Sequence, residues 1–203
     1  MISLFRVSDA DCNILLVVGS LHKSSVTCVA INHLAKKLSA DGCSVQLLDF
    51  KKNPLPLFNP DTVWDQDYYP VLKQQIVAAD VIVLGTPDYH GSISSTLKNF
   101  LDHFWKEFAG KLFATVVASH EKGLTVHDQI RTIARQCYAW VMPYGVSLQE
   151  KIDIKNGQVV SDELHTRLEM LRHDIQRYGR LLSTQRSSDL AGTAPGFMAQ
   201  LRE

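Results

Sequence analysis

Three stretches of this chain are apolar almost without interruption: Asn13-Ile14-Leu15-Leu16-Val17-Val18, Val81-Ile82-Val83-Leu84 and Leu112 to Ala118. A strand with one face in water alternates apolar and polar residues, so runs of this kind belong to strands buried on both faces. Segments of helical period lie between them. Val26, Ala30, Leu34 and Leu38 are four apart, with Ile31 and Ala35 beside them, and the stripe stops at Asp41-Gly42. Strands that alternate with amphipathic helices predict a parallel sheet covered on both sides, a doubly wound α/β fold.

The remaining elements extend the same pattern. Ser44 to Phe50 reads as a second strand, and the proline-rich segment from Asn53 to Pro60 as an exposed loop. About Tyr68 to Ala79 reads as a helix, with Gly85-Thr86-Pro87 as the turn after the third strand. Ile93, Leu97, Phe100, Leu101 and Phe104 share a helical face, as do Val126, Ile130, Ile133 and Cys137. Val146 to Ile154 is expected to be a fifth strand, followed by a turn at Asn156-Gly157. Ser161 caps a long last helix with its seam at Leu164, Leu168, Leu171, Ile175, Tyr178 and Leu182, facing the sheet or a second subunit. With 203 residues and 45% hydrophobic content, residues 1–186 make one domain, and the Ser-, Gly- and Pro-rich residues 187–203 a mobile tail.

Charge narrows the partners. Lysine plus arginine and aspartate plus glutamate both number 21, so no net field favours nucleic acid or an anionic membrane, and a small molecule is the expected partner. The cysteines Cys12, Cys28, Cys43 and Cys137 form no CxxC pair, the start MISLFRVSDADCN lacks a basic stretch followed by a long apolar one, so no targeting leader is expected there, and no apolar run reaches membrane-spanning length. A cytoplasmic protein with reduced thiols is expected. His120 and His127 are seven apart with no third ligand in view, so no metal site is expected.

Doubly wound sheets bind ligands outside the carboxyl ends of their strands. After the first strand comes Gly19-Ser20-Leu21-His22-Lys23-Ser24-Ser25-Val26-Thr27, with hydroxyls, main-chain N–H groups and a helix N-terminus in one turn. Such a loop suits a phosphate monoester, although Ser24, Ser25 and Thr27 could equally cap the helix. It has neither the GxxxxGK[ST] nor the GxGxxG spacing, so it supports neither a nucleoside-triphosphate loop nor a primary dinucleotide fold. After the third strand comes Pro87-Asp88-Tyr89-His90-Gly91-Ser92, then Leu97-Lys98-Asn99 on a helix; after the fourth comes Ser119-His120-Glu121-Lys122-Gly123. Lys98 and Asp102, four apart, read as a surface ion pair, and Asn99 as a tie from the helix back to the loop.

The second of these loops resembles the signature of the NADPH-dependent FMN reductase family at Pro87, Tyr89, Gly91, Ser92, Leu97, Lys98 and Asn99. The first resembles that family's phosphate loop at Gly19, Ser20 and Ser25, with His22 where Arg is usual and Thr27 where Asn is usual. The resemblance runs from about Asn13 to Leu182. It implies a flavodoxin-like five-stranded sheet in the order 2-1-3-4-5, one FMN per subunit, NADPH or NADH as hydride donor, and a homodimer or homotetramer with flavin sites near a subunit interface.

On that reading Ser20, His22, Ser25, Val26 and Thr27 take the phosphate. Pro87, Asp88, Tyr89, His90, Gly91 and Ser92 surround the flavin ring, with main-chain N–H groups at its polar edge and Tyr89 packed beside it or the nicotinamide. Ser119, His120 and Gly123 close the pyrimidine end. Hydride passes between stacked rings without a protein acid, so no catalytic side chain is assigned. The expected activity is an oxidoreductase that moves hydride from NAD(P)H to free flavin, a quinone, or an azo or nitro compound. An electron carrier or a non-catalytic redox sensor on the same scaffold is the alternative.

Overall fold

The computed structural model describes residues 12–202; the start of the chain, read above as lacking a leader, lies outside them. The first eight elements follow the expected alternation: β1 (Asn13–Val18), α1 (Val26–Ala40), β2 (Ser44–Asp49), α2 (Tyr68–Ala78), β3 (Val81–Pro87), α3 (Ser95–Asp102), β4 (Leu112–Ala118) and α4 (Leu124–Gln136). The sheet is parallel, as the apolar runs predict, and its order β2-β1-β3-β4 and then a fifth position is the one the family resemblance implies. The third strand runs further than expected: Gly85, Thr86 and Pro87 pair with Val116, Val117 and Ala118 rather than forming the turn.

The unbroken apolar runs are explained by two cores, one on each face. Leu16, Val18, Val83 and Val116 meet Ile31 and Leu34 of α1 on one side, whereas Leu15, Val17, Ile82 and Phe113 meet Ile76, Phe100 and Ile130 of α2, α3 and α4 on the other. Each fully buried Leu, Ile or Phe contributes roughly 1.5–3 kcal/mol, so the strands are held from both directions. Gly85 lets α1 lie close against the sheet, because a Cβ there would come within 2.6 Å of Ile31 Cγ1.

The fifth position departs from expectation. It is filled by two short strands, β5 (Trp140–Val141) beside the start of β4 and β6 (Val146–Leu148) beside its end. Pro143 has no N–H to give a ladder, its carbonyl accepts from Arg131 Nη2 at 2.6 Å, and that of Gly145 accepts from Arg167 Nη2 at 3.0 Å. These bonds separate β5 from β6; the strand read as Val146 to Ile154 ends at Leu148, where Gln149 N turns to Asp153 Oδ2 at 2.7 Å. Beyond it lie a single helical turn, α5 (Glu150–Asp153), and a hairpin of β7 (Ile154–Lys155) and β8 (Gln158–Val159) turning at Asn156-Gly157.

The last helix, α6 (Asp162–Ala191), is capped by Ser161, whose side chain accepts from Leu164 N. Its seam packs on the sheet through Leu164, Leu168, Leu171 and Ile175, then shifts to Gly179, leaving Tyr178 45% exposed. A Cβ at Gly179 would lie 2.4 Å from Val81 Cγ2, so only a glycine lets the helix approach the sheet there. Where a mobile tail is expected after Arg186, the helix continues to Ala191, and a 3₁₀ turn, Phe197–Leu201, buries Met198. Arg202 Nε donates to the Asp189 carbonyl at 2.9 Å and Phe197 stacks on Tyr138, contacts that a composition reading does not register.

Candidate functional site

The loops after β1, β3 and β4 meet over the carboxyl ends of their strands, as parallel pairing requires. Two bonds hold the first two together. Gly19 N donates to Gly85 O at 2.8 Å, and the buried Ser94 hydroxyl donates to Gly19 O at 2.5 Å while accepting from Leu97 N as the cap of α3. A third contact joins the second and third loops: Asp88 Oδ2 accepts from Ser119 Oγ at 2.9 Å, and Asp88 Oδ1 accepts from Gly91 N at 2.8 Å.

The second loop is a tight hairpin. Tyr89 and Ser92 exchange main-chain hydrogen bonds at 3.0 and 3.2 Å, and His90 and Gly91 between them have φ of 58° and 77°. Two positive φ values in succession are the I′ pattern, easy for Gly91 and tolerated by His90 because the hairpin and Asp88 fix the turn around it. Gln129 of α4 braces the far side, its Oε1 accepting from Ile93 N at 2.9 Å and Ser92 Oγ at 3.1 Å.

A cleft of about 200 Å³ lies between the loops, lined by Ser20, His22, Ser25, Val26 and Thr27 from the first. Pro87, Asp88 and Tyr89 line it from the second loop, and Ser119 and His120 from the third. Asp88, Ser119 and His120 also line an adjoining outer depression of about 700 Å³, together with His90, Gly91 and Gly123. Ten of the fourteen residues singled out in the sequence line the cleft, and His90, Gly91 and Gly123 line the depression beside it. Ser92 lines neither; its hydroxyl is turned to Gln129.

Two side chains that sequence reasoning left out stand in the site. Ser94 ties its first two loops, and Glu150 lines the cleft from α5. Ser94 could have been found as the cap of α3, three residues before Leu97; Glu150 was hidden because that segment reads as strand. Asn99 ties its helix not to the second loop but to the proline-rich segment, accepting from Phe58 N at 2.7 Å and donating to Pro56 O at 2.9 Å. Lys98 and Asp102 form the expected exposed ion pair at 2.5 Å.

The first loop is chemically the most open. Ser25 caps α1, its side chain accepting from Cys28 N at 3.1 Å, and His22 Nδ1 accepts from Ser24 N at 3.2 Å. Thr27 is 1% exposed and lines the cleft, yet no hydrogen bond within the described residues engages its hydroxyl. The N–H groups of Val26 and Thr27, in the first helical turn, have no carbonyl four residues back. A buried hydroxyl and helix-end donors facing one cleft are the set that receives phosphate oxygens. The residues present therefore fit a flavin mononucleotide.

Nothing in the site marks a nucleophile. Burial, and then Asp49, push the Cys28 thiol above its ordinary range; burial, and then Asp80, push Cys12 up to about 12. Below the third loop, His127 Nδ1 lies 2.7 Å from Thr115 Oγ1 and its Nε2 3.1 Å from Ser147 Oγ, which donates to Lys122 O at 2.5 Å. Burial, and then Arg131, hold this imidazole below its ordinary titration range, so it is a neutral strut. It borders a separate cavity of about 540 Å³ with Arg131 and Arg167, under α4 and α6.

The NADPH-dependent FMN reductase model matches residues 12–153, most of the chain and all three loops. The chain belongs to the NADPH-dependent FMN reductase family. Like the family, it is an FMN-dependent oxidoreductase that draws hydride from NAD(P)H and acts on a small molecule. An FMN-dependent NADPH-azoreductase of Staphylococcus aureus (strain USA300) is 25% identical over 150 residues, 70% of this chain and 79% of that protein. Among solved structures, the flavoenzyme NAD(P)H:(acceptor) oxidoreductase of Paracoccus denitrificans superposes with a TM-score of 0.69 at 18% identity, covering 83% of this chain and 97% of that one. An apo NADH:FMN oxidoreductase gives 0.65 at 17% identity, covering 84% and 89%. These two structural likenesses bear on the fold, which they share with this FMN reductase family member.

Proposed function

We propose that this family member holds FMN in the three-loop cleft and passes hydride from NAD(P)H to a small conjugated acceptor: free flavin, a quinone, or an azo or nitro compound. The azoreductase relative supports that acceptor class. The observation that carries the reading is the convergence of thirteen sequence-selected residues on the cleft and the depression adjoining it, with Thr27 buried at the cleft and unengaged.

The chemistry a bound flavin supplies is hydride exchange, first with a nicotinamide and then with an acceptor at the same ring face. The protein binds and orients. Ser20, His22, Ser25, Val26 and Thr27 receive the phosphate, through hydroxyls and first-turn N–H groups. Pro87 and the I′ turn at His90-Gly91 set the ring's polar edge against main-chain groups, while Asp88 holds that loop to Ser119. Tyr89, 51% exposed, offers an aromatic face to the ring or the incoming donor. His120 and Gly123 bound the pyrimidine end, and Ser92 serves through Gln129 by bracing the turn.

The same reading has a single domain, cytoplasmic, as a homodimer or homotetramer. Among the described residues no helix is long and apolar enough to cross a membrane. The test is anaerobic addition of NADPH or NADH to the FMN-loaded protein, followed in the flavin absorption band. Bleaching at turnover-competent rates, reversed by a quinone or azo compound, is expected; a flavin that binds but is not bleached by either nucleotide would sink the enzymatic reading.

A further inference from the structure

We propose that Lys51 is the cationic partner of the flavin phosphate, an inference that rests on residues 20–27 being the phosphate site. A phosphate monoester carries about −1.5 to −2 charge near neutrality, and it needs more than neutral donors to hold it firmly. His22, where the family usually has Arg, turns its Nδ1 into the loop to accept from Ser24 N at 3.2 Å, so that nitrogen is not offered to a phosphate.

The turn after β2 supplies a candidate. Because β2 runs parallel to β1 with Asp49 opposite Val18, this turn emerges beside the first loop. The buried Asp49 shapes it: Oδ1 accepts from Lys51 N at 3.1 Å, and the main-chain carbonyl accepts from Lys52 N at 3.0 Å and Asn53 N at 2.9 Å. The remaining carboxylate oxygen faces Lys52 Nζ at 3.9 Å. Lys51 is left to reach the other way, its ammonium donating to the Lys23 carbonyl, in the middle of the loop, at 3.2 Å.

Among the described residues no carboxylate lies within 4.0 Å of Lys51 Nζ, so one of its three donors is engaged by a neutral carbonyl and two are free. Lys51 lines a groove of about 620 Å³ that shares Ser20, His22, Ser24, Ser25 and Val26 with the cleft. Lys23 and Lys52 stand on the same side, and Glu150 is the acidic residue common to groove and cleft. Lys52 is already drawn to Asp49; Lys23 and Lys51 both lack a carboxylate within 4.0 Å among the described residues, and of the two it is Lys51 whose ammonium is held at the loop by a hydrogen bond.

Riboflavin has the same ring as FMN and no phosphate, so the ratio of the two affinities isolates the phosphate contribution. Flavin-free full-length protein is titrated with each, following flavin fluorescence, for the wild type, Lys51→Met, Lys51→Arg and Lys52→Met. Lys51→Met is expected to cut the FMN preference roughly tenfold by weakening FMN alone. Lys51→Arg should restore most of it, and Lys52→Met should change it less than about twofold. Equal weakening of FMN and riboflavin would make Lys51 a turn-shaping residue and overturn the proposal, as would an unchanged ratio. A wild type that binds both flavins equally would overturn the phosphate-loop reading itself, a failure visible before any variant is made.

Discussion

In the loop after β3, Asp88, Tyr89, Gly91 and Ser92 all bond to other protein groups, and Gln129 braces the turn from behind; in the loop after β1, the Thr27 hydroxyl and the first-turn N–H groups are left facing the cleft. The contrast separates two ways of serving one ligand. The second loop is self-supporting and presents main-chain groups at fixed positions, so its side chains act mainly on stability. The first loop leaves the Thr27 hydroxyl and the N–H groups of Val26 and Thr27 without a protein partner among the described residues, so these groups act mainly on affinity.

The largest expected effect comes from the residue that couples the two loops. Ser94→Ala removes the cap of α3 and leaves the Gly19 carbonyl unpaired in a buried position, a loss of about 2–3 kcal/mol in chemical denaturation. Asp88→Ala breaks two bonds in a half-exposed place and should cost about 1–2 kcal/mol, with weaker binding of riboflavin as well as FMN because the ring-side loop loosens. At the small end, Thr27→Val should leave stability within about 0.5 kcal/mol of wild type, since the hydroxyl has no protein partner to lose, yet weaken FMN roughly tenfold. A Thr27 variant that unfolds like the Ser94 variant, or binds FMN normally, would erase the distinction between the loops.

The third loop adds a pH-dependent term. His127 has its folded pKa below the ordinary value of 6.5, so above that pH it is neutral in both states and its contribution to stability is complete. As pH falls below 6.5 the unfolded chain takes up a proton that the folded one resists, and stability declines. Asp41 and Asp174, held below the ordinary 3.8 by hydrogen bonds to Gln176 and Arg172 and to His173 and Tyr144, come into play only at lower pH. Melting temperatures between pH 7.5 and 5 should fall in the wild type and fall less in His127→Gln.

What the sequence made legible follows from the same physics. Continuous apolar runs identify the two-sided strands because both cores sit on the same residues, and the cluster Pro87 to Ser92 stands out because an I′ hairpin demands unusual residues in a row. The break in the fifth strand was not legible, since Val146 to Ile154 alternates well enough to pass for a strand. Arg131 and Arg167, from elsewhere in the chain, draw off the carbonyls of Pro143 and Gly145 between β5 and β6, and Gln149 N turns to Asp153 Oδ2 where the expected strand stops. Long-range partners explain the other differences too: Asn99 answers to Phe58, Ser92 to Gln129, and the segment beyond Arg186 to Tyr138 and Asp189. Residue type suggests that a group will bond, but only the fold decides to what.

The most direct test of the account is a crystal structure of the protein grown with FMN. It predicts the phosphate between residues 20–27 with an oxygen on the Thr27 hydroxyl, and the ring against the turn from Pro87 to Gly91. A flavin seated instead in the cavity of about 540 Å³ beside His127 and Arg167 would contradict it.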